Sequence, residues 1–260
     1  MRNECRPLVS WVIPAFNAER TLEECAESVR SQSYQDWEAL IVDDGSTDGT
    51  LKIAQRYAVI DSRFRILAQE NKKQAAARNL AIDQARGEYI ALLDADDIAH
   101  PQRLSLQMEF FFKAEDVTVL GGWRDNIALQ DGRGLGITRH AASHQELCRN
   151  IFTNCPFSTS TVTARSWYFK IFRFDPDMTP CEDHDLWLRT YRIPCVRFSN
   201  LQFPLVTYRA KRYMPWSHYI RISRMYYYAA KAEGCKLFPL WRTARPLLGA
   251  LRRNPLNRKR

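Results

Sequence analysis

The chain is expected to be an α/β protein with a mostly parallel sheet flanked by helices on both faces. Three observations predict this. Over the first 122 residues, short and continuously apolar runs alternate with amphipathic segments, and such runs suit strands covered on both faces. At 260 residues, 45% hydrophobic and 26% charged, the chain can bury a substantial core as one large domain or one domain with an elaborated end. With 10 glycines and 12 prolines it is neither low-complexity nor collagenous, and no stretch approaches a membrane span.

The elements follow in order. Leu8 to Pro14 reads as a buried strand. Thr21 to Ser33 reads as a helix with Leu22, Cys25, Ala26 and Val29 on one face, and Thr21 with Glu24 suggests a capping box. Glu38 to Asp43 is the second strand, Thr50 to Tyr57 a helix and Phe64 to Ala68 the third strand. An alanine-rich helix over Gln74 to Ala85 leads to a fourth strand, Tyr89 to Leu93. Pro101 to Phe112 is helical, and Val117 to Leu120 is a fifth strand. Leu186 to Arg189 continues a helix whose first turn is acidic.

Ligands of such sheets sit beyond the carboxyl ends of the strands. There the sequence places Pro14-Ala-Phe-Asn17, then Asp43-Asp-Gly-Ser-Thr-Asp-Gly-Thr50, then Asp94-Ala-Asp-Asp97. The glycine-rich fingerprints of dinucleotide-binding and P-loop proteins are absent. An Asp-x-Asp at a strand end directs two carboxylates to one side, a hard-oxygen set suited to Mg2+ or Mn2+. A solvated turn leading into a helix cap is the competing reading of the same residues. His140 and His144, four apart, fit a solvated pair better than a metal face.

Together, Val12-Ile-Pro-Ala-Phe-Asn17, Val42 to Thr50, Ala77-Arg-Asn79, Gly87-Glu-Tyr-Ile-Ala-Leu-Leu-Asp-Ala-Asp-Asp97 and Glu182-Asp-His-Asp-Leu-Trp-Leu-Arg189 resemble family 2 glycosyltransferases of the GT-A fold, a Rossmann-like architecture. The resemblance runs from residue 8 to about 210 and implies an inverting enzyme that uses a nucleotide sugar and Mg2+ or Mn2+. Residue by residue, it implies donor contacts from Pro14, Phe16, Asp43, Asp44, Arg78 and Asp94. Asp44, with Asp43 beside it, would meet the base, Arg78 the nucleotide, and Asp94 the ribose or sugar. Asp96 and Asp97 would hold the metal, and Asp183 would be the general base. The implied division is a nucleotide-sugar-binding half over 1–122, an acceptor-side half over 123–210 and a basic helical extension over 211–260. Residues 154–160, Asn-Cys-Pro-Phe-Ser-Thr-Ser, belong by position to the acceptor side.

Three positions depart from the family pattern: Lys73 and Ala81 stand where glycine is common, and Lys211 stands where a histidine can reach the metal. The Q-x-x-R-W pattern of processive synthases is absent, which favours transfer of a single sugar.

Charge is split along the chain. Residues 1–185 hold 21 basic and 28 acidic residues, whereas 186–260 hold 17 basic residues and one acid, Glu233. From residue 234 onward, eight basic residues are interleaved with leucines and aromatics, a pattern suited to an anionic membrane surface. The seven cysteines are scattered without a C-x-x-C pair and read as reduced thiols, and Met1 to Pro7 lacks a signal-peptide core. The expectation is a cytoplasmic protein, peripheral on the inner membrane face. It would move one sugar, from a UDP-sugar, to a hydroxyl of a surface-glycan or lipid-linked acceptor. Transfer to polyprenyl phosphate and, from a different class, nucleic-acid binding are the alternatives; the acidic first half argues against nucleic acid.

Overall fold

A computed structural model describes residues 6–152, 154–178, 181–210, 222 and 223. The expected 211–260 extension, Lys211 included, lies outside the described residues apart from Ile222 and Ser223.

The first half alternates as expected: β1 (Val9–Ala15), α1 (Leu22–Arg30), β2 (Trp37–Asp43), α2 (Thr50–Ile60), β3 (Phe64–Ala68), α3 (Lys73–Gln84) and β4 (Tyr89–Leu92). β3, β2, β1 and β4 lie side by side, and every pairing among them is parallel. Alternation along the buried strands sends successive side chains to opposite faces. Trp11 and Ile13 of β1 pack with Leu22, Cys25 and Val29 of α1, whereas Val12 packs with Ala77, Ala81 and Ile82 of α3. Those small alanines let α3 lie close on the sheet. The Thr21–Glu24 capping box does not form. The Thr21 hydroxyl turns back to the Ala18 carbonyl (3.4 Å), and Glu24 is drawn into an ion pair with Arg209.

Beyond β4 the sheet is mixed. The elements are β5 (Ile98–Ala99), α4 (Arg103–Lys113), β6 (Val119–Ala128), β7 (Gly134–Thr138), α5 (His144–Arg149), β8 (Thr163–Arg165), α6 (Ser166–Ile171), α7 (Glu182–Thr190) and β9 (Phe198–Ala210). The strand expected at 117–120 opens β6, but it does not join β4. Antiparallel β8 lies between them, and the order continues β6, β9, β5, with β7 paired to β6. β8 escapes a reading by apolar runs because it has three residues and two of them, Thr163 and Arg165, are polar. Arg103 anchors this insertion from α4, donating to the carbonyls of Leu92 (3.0 Å) and Val162 (3.1 Å) from full burial. One sheet thus runs through both expected halves.

Candidate active site

The carboxyl ends of β1, β2 and β4 border a cavity of about 970 Å3. Pro14, Phe16, Asp44, Asp94 and Asp96 line it, with Lys73 and Arg209. Asp43, Arg78 and Asp97 are buried and do not line it.

Asp44 follows directly on β2. Its Oδ1 accepts from Gln69 Nε2 (2.6 Å) and from the Lys72 amide (2.9 Å). Gly45 makes this possible: its φ is +74°, and a Cβ there would sit 2.8 Å from the Asn71 nitrogen. Only glycine adopts that turn without strain at so close an approach. Asp43 points inward, where its Oδ2 accepts from the Ser46 amide (3.3 Å).

Asp94 ends β4. Its Oδ1 accepts from Gln74 Nε2 (2.8 Å) and Arg78 Nη2 (2.7 Å), both on α3. Arg78, expected at the nucleotide, is 2% exposed and bridges two acids, its Nη1 donating to Glu182 Oε1 at 2.8 Å. Burial works against the guanidinium charge, but Asp94 and Glu182 outweigh it and hold Arg78 protonated. Burial pushes the Glu182 carboxyl up against the pull of Arg78.

Asp94, Asp96 and Asp97 each offer a carboxylate oxygen, and these lie within 4.8 Å of one another. Burial, then the charges of Asp94 and Asp96, push the Asp97 carboxyl well above its usual range. Its Oδ1 accepts from the Arg209 amide (3.2 Å), while Oδ2 is buried and accepts no hydrogen bond. Crowded carboxylates with an unsatisfied buried oxygen fit a hard divalent cation, which would offset both costs. Arg209 braces this turn, donating from Nη1 to the Asp96 carbonyl (2.7 Å) and from Nη2 to Glu24.

Asp183 occupies the first turn of α7, half-buried and outside the cavity lining. The helix is anchored by Trp187, which meets the rings of Phe157 (5.1 Å) and Tyr168 (6.1 Å, stacked). Asp183 Oδ1 accepts from the His184 amide (2.7 Å), and Oδ2 from the Thr159 hydroxyl. Thr159 begins a 3-10 turn, Thr159–Thr161, in which neighbouring hydroxyls serve different partners. Ser158 Oγ meets His140 Nε2 (2.9 Å), and Ser160 Oγ accepts from the Asp94 amide (3.2 Å). One turn therefore touches both the strand-end acid and the helix-borne acid. His140 and His144 do not form a solvated pair. Burial, then Arg124, brings His140 down to about 4, and His144 Nδ1 accepts from the Phe198 amide (3.1 Å). The contacts of Thr159, Gln74 and Arg209 were not legible in the sequence, because their partners lie 24, 20 and 113 positions away.

A mixed sheet with an acidic cluster beyond the ends of its parallel strands is the GT-A arrangement that the sequence motifs implied. Residues 10–177 match the model of glycosyl transferase family 2, and the chain belongs to that family. It is 36% identical over 190 residues to the putative glycosyltransferase EpsE of Bacillus subtilis, covering 71% of this chain and 67% of that protein. It is 31% identical over 206 residues to WfgD of Escherichia coli, a UDP-Glc:α-D-GlcNAc-diphosphoundecaprenol β-1,3-glucosyltransferase, covering 78% of this chain and 77% of WfgD. Among solved structures, the mannosyltransferase PcManGT of Pyrobaculum calidifontis, in complex with GDP-Man and Mn2+, superposes with a TM-score of 0.67. That likeness covers 96% of this chain and 72% of the other at 17% identity, and it concerns the fold.

Proposed function

We propose that the chain transfers a single sugar from a UDP-sugar to a hydroxyl of a surface-glycan or lipid-linked acceptor, with inversion at the anomeric carbon. The observation that carries this is the cavity itself, where Asp44, Asp94 and Asp96 converge beyond the parallel strands. The similarity to WfgD, whose name includes UDP-Glc and a diphosphoundecaprenol-linked sugar, supports the donor and acceptor classes.

In this reading Pro14, Phe16 and Asp44, with Asp43 behind it, take the nucleoside, and Asp94 takes the ribose or sugar. Arg78 acts from behind the wall, fixing the Asp94 carboxylate through its ion pair (2.7 Å). Asp96 and Asp97 would hold a divalent cation, which when bound supplies positive charge to the diphosphate. Asp183 takes the proton of the acceptor hydroxyl. The acceptor oxygen then bonds to the anomeric carbon as the bond to the diphosphate oxygen breaks on the opposite side, which inverts that centre. The Thr159 hydroxyl and the His184 amide orient the Asp183 carboxylate for this step.

Incubating the protein with a panel of UDP-sugars, Mn2+ and undecaprenyl-diphosphate-linked monosaccharides tests the reading. A disaccharide product carrying one inverted linkage is expected. Product formed on polyprenyl phosphate alone, or repeated addition, would contradict it.

A further inference from the structure

We infer that Lys73 binds the phosphates of the donor, its ammonium presented to the cavity from a strained backbone; this rests on the nucleotide-sugar reading above. Among the described residues, Asn17 (φ 48°) and Lys73 (φ 69°) are the non-glycine residues with positive φ. Asparagine tolerates that region, whereas a long side chain does so at a cost. Strain of this kind persists where surrounding contacts enforce it, and such sites cluster where ligands bind.

Both neighbours of Lys73 are tied to acids of the cavity. The Lys72 amide donates to Asp44 Oδ1 (2.9 Å), and Gln74 Nε2 donates to Asp94 Oδ1 (2.8 Å). Lys73 therefore stands between the carboxylate proposed for the base and the one proposed for the ribose or sugar. In a nucleotide sugar the diphosphate joins the ribose to the sugar and so lies beside that acid in either assignment.

Charge points the same way. Carboxylates outnumber cations along the cavity lining, whose cations are Arg20, Lys73 and Arg209, and the Arg209 guanidinium is engaged by Glu24 and the Asp96 carbonyl. Lys73 is exposed, lines the cavity and makes no ion pair among the described residues. An ammonium there is available to a phosphate, to which it binds as a compact point charge.

The test compares UDP with uridine by titration calorimetry, with Mn2+ present, on the full chain and three variants. Lys73→Met keeps the strain and removes the charge. It is expected to weaken UDP binding by about tenfold, the scale of one charge-assisted hydrogen bond, and to leave uridine binding unchanged. Lys73→Arg should retain UDP binding. Lys73→Gly should weaken UDP equally while raising the Tm of the ligand-free protein by about 2–4 °C, because glycine adopts a positive φ without strain. UDP affinity unchanged in Lys73→Met, or equal losses for UDP and uridine, would overturn the inference while leaving the donor reading intact. Failure of the unaltered protein to bind UDP would remove the donor reading and the inference together.

Discussion

Asp183 and Glu182 are adjacent in sequence and chemically opposite in place. Glu182 is 3% exposed and committed to Arg78, which in turn holds the Asp94 carboxylate. Asp183 is half-buried, and both its oxygens accept hydrogen bonds from groups that orient it. Asp183→Asn is expected to keep the fold and UDP binding and to lower kcat by about a hundred- to ten-thousand-fold, the usual scale of a general base. Calorimetry beside a product assay checks this, and near-normal turnover would transfer the role to Asp185. The strand-end acids were legible in the sequence because each follows an apolar run directly. The commitment of Arg78 to Glu182 was not, because 104 residues separate them and only the tertiary fold, in which α3 and α7 both meet the short helix Pro176–Met178, brings them together.

At the scale of elements, β1 to β4 and their helices were legible because apolar period and turn residues are local signals. Beyond β4, the helix α4, the start of β6 and α7 were legible in the same way, but β8 and β9 were not, because β8 is short and polar and β9 carries Pro204 within a 13-residue strand that pairs with β6 across two register shifts. The segment between β7 and β8 has its own pH response. His140 is held neutral down to about 4 by burial and Arg124, while its unfolded value is near 6.5. A histidine depressed in this way leaves stability complete above about 6.5 and removes it as pH falls toward 4, because the unfolded chain binds the proton more readily. Tm measured from pH 7 to 4 is therefore expected to fall less steeply for His140→Gln than for the unaltered protein. Parallel curves would show that His140 takes no part.

For the whole molecule, charge is divided between an acidic cavity and a basic end. No helix among the described residues is long and apolar enough to cross a membrane, and we propose that the basic extension 211–260 holds the protein on anionic lipid beside its acceptor. Removing residues 236–260 is expected to release the protein from phosphatidylglycerol vesicles and leave UDP binding unchanged. Raised salt should also weaken the vesicle binding of the full chain, since exposed charges more than about 10 Å apart are screened at 0.1 M. Equal co-sedimentation of intact and truncated protein would refute the anchor. The central claim is that the acid cluster beyond β4 and the adjoining cavity together form a metal-assisted donor site. Its most direct measurement is UDP affinity, with Mn2+ and with chelator, for the unaltered protein and for Asp96→Ala. The account predicts Mn2+-dependent binding in the first, its loss in the second and equal Tm for the two ligand-free proteins; equal UDP affinity in all four titrations would contradict it.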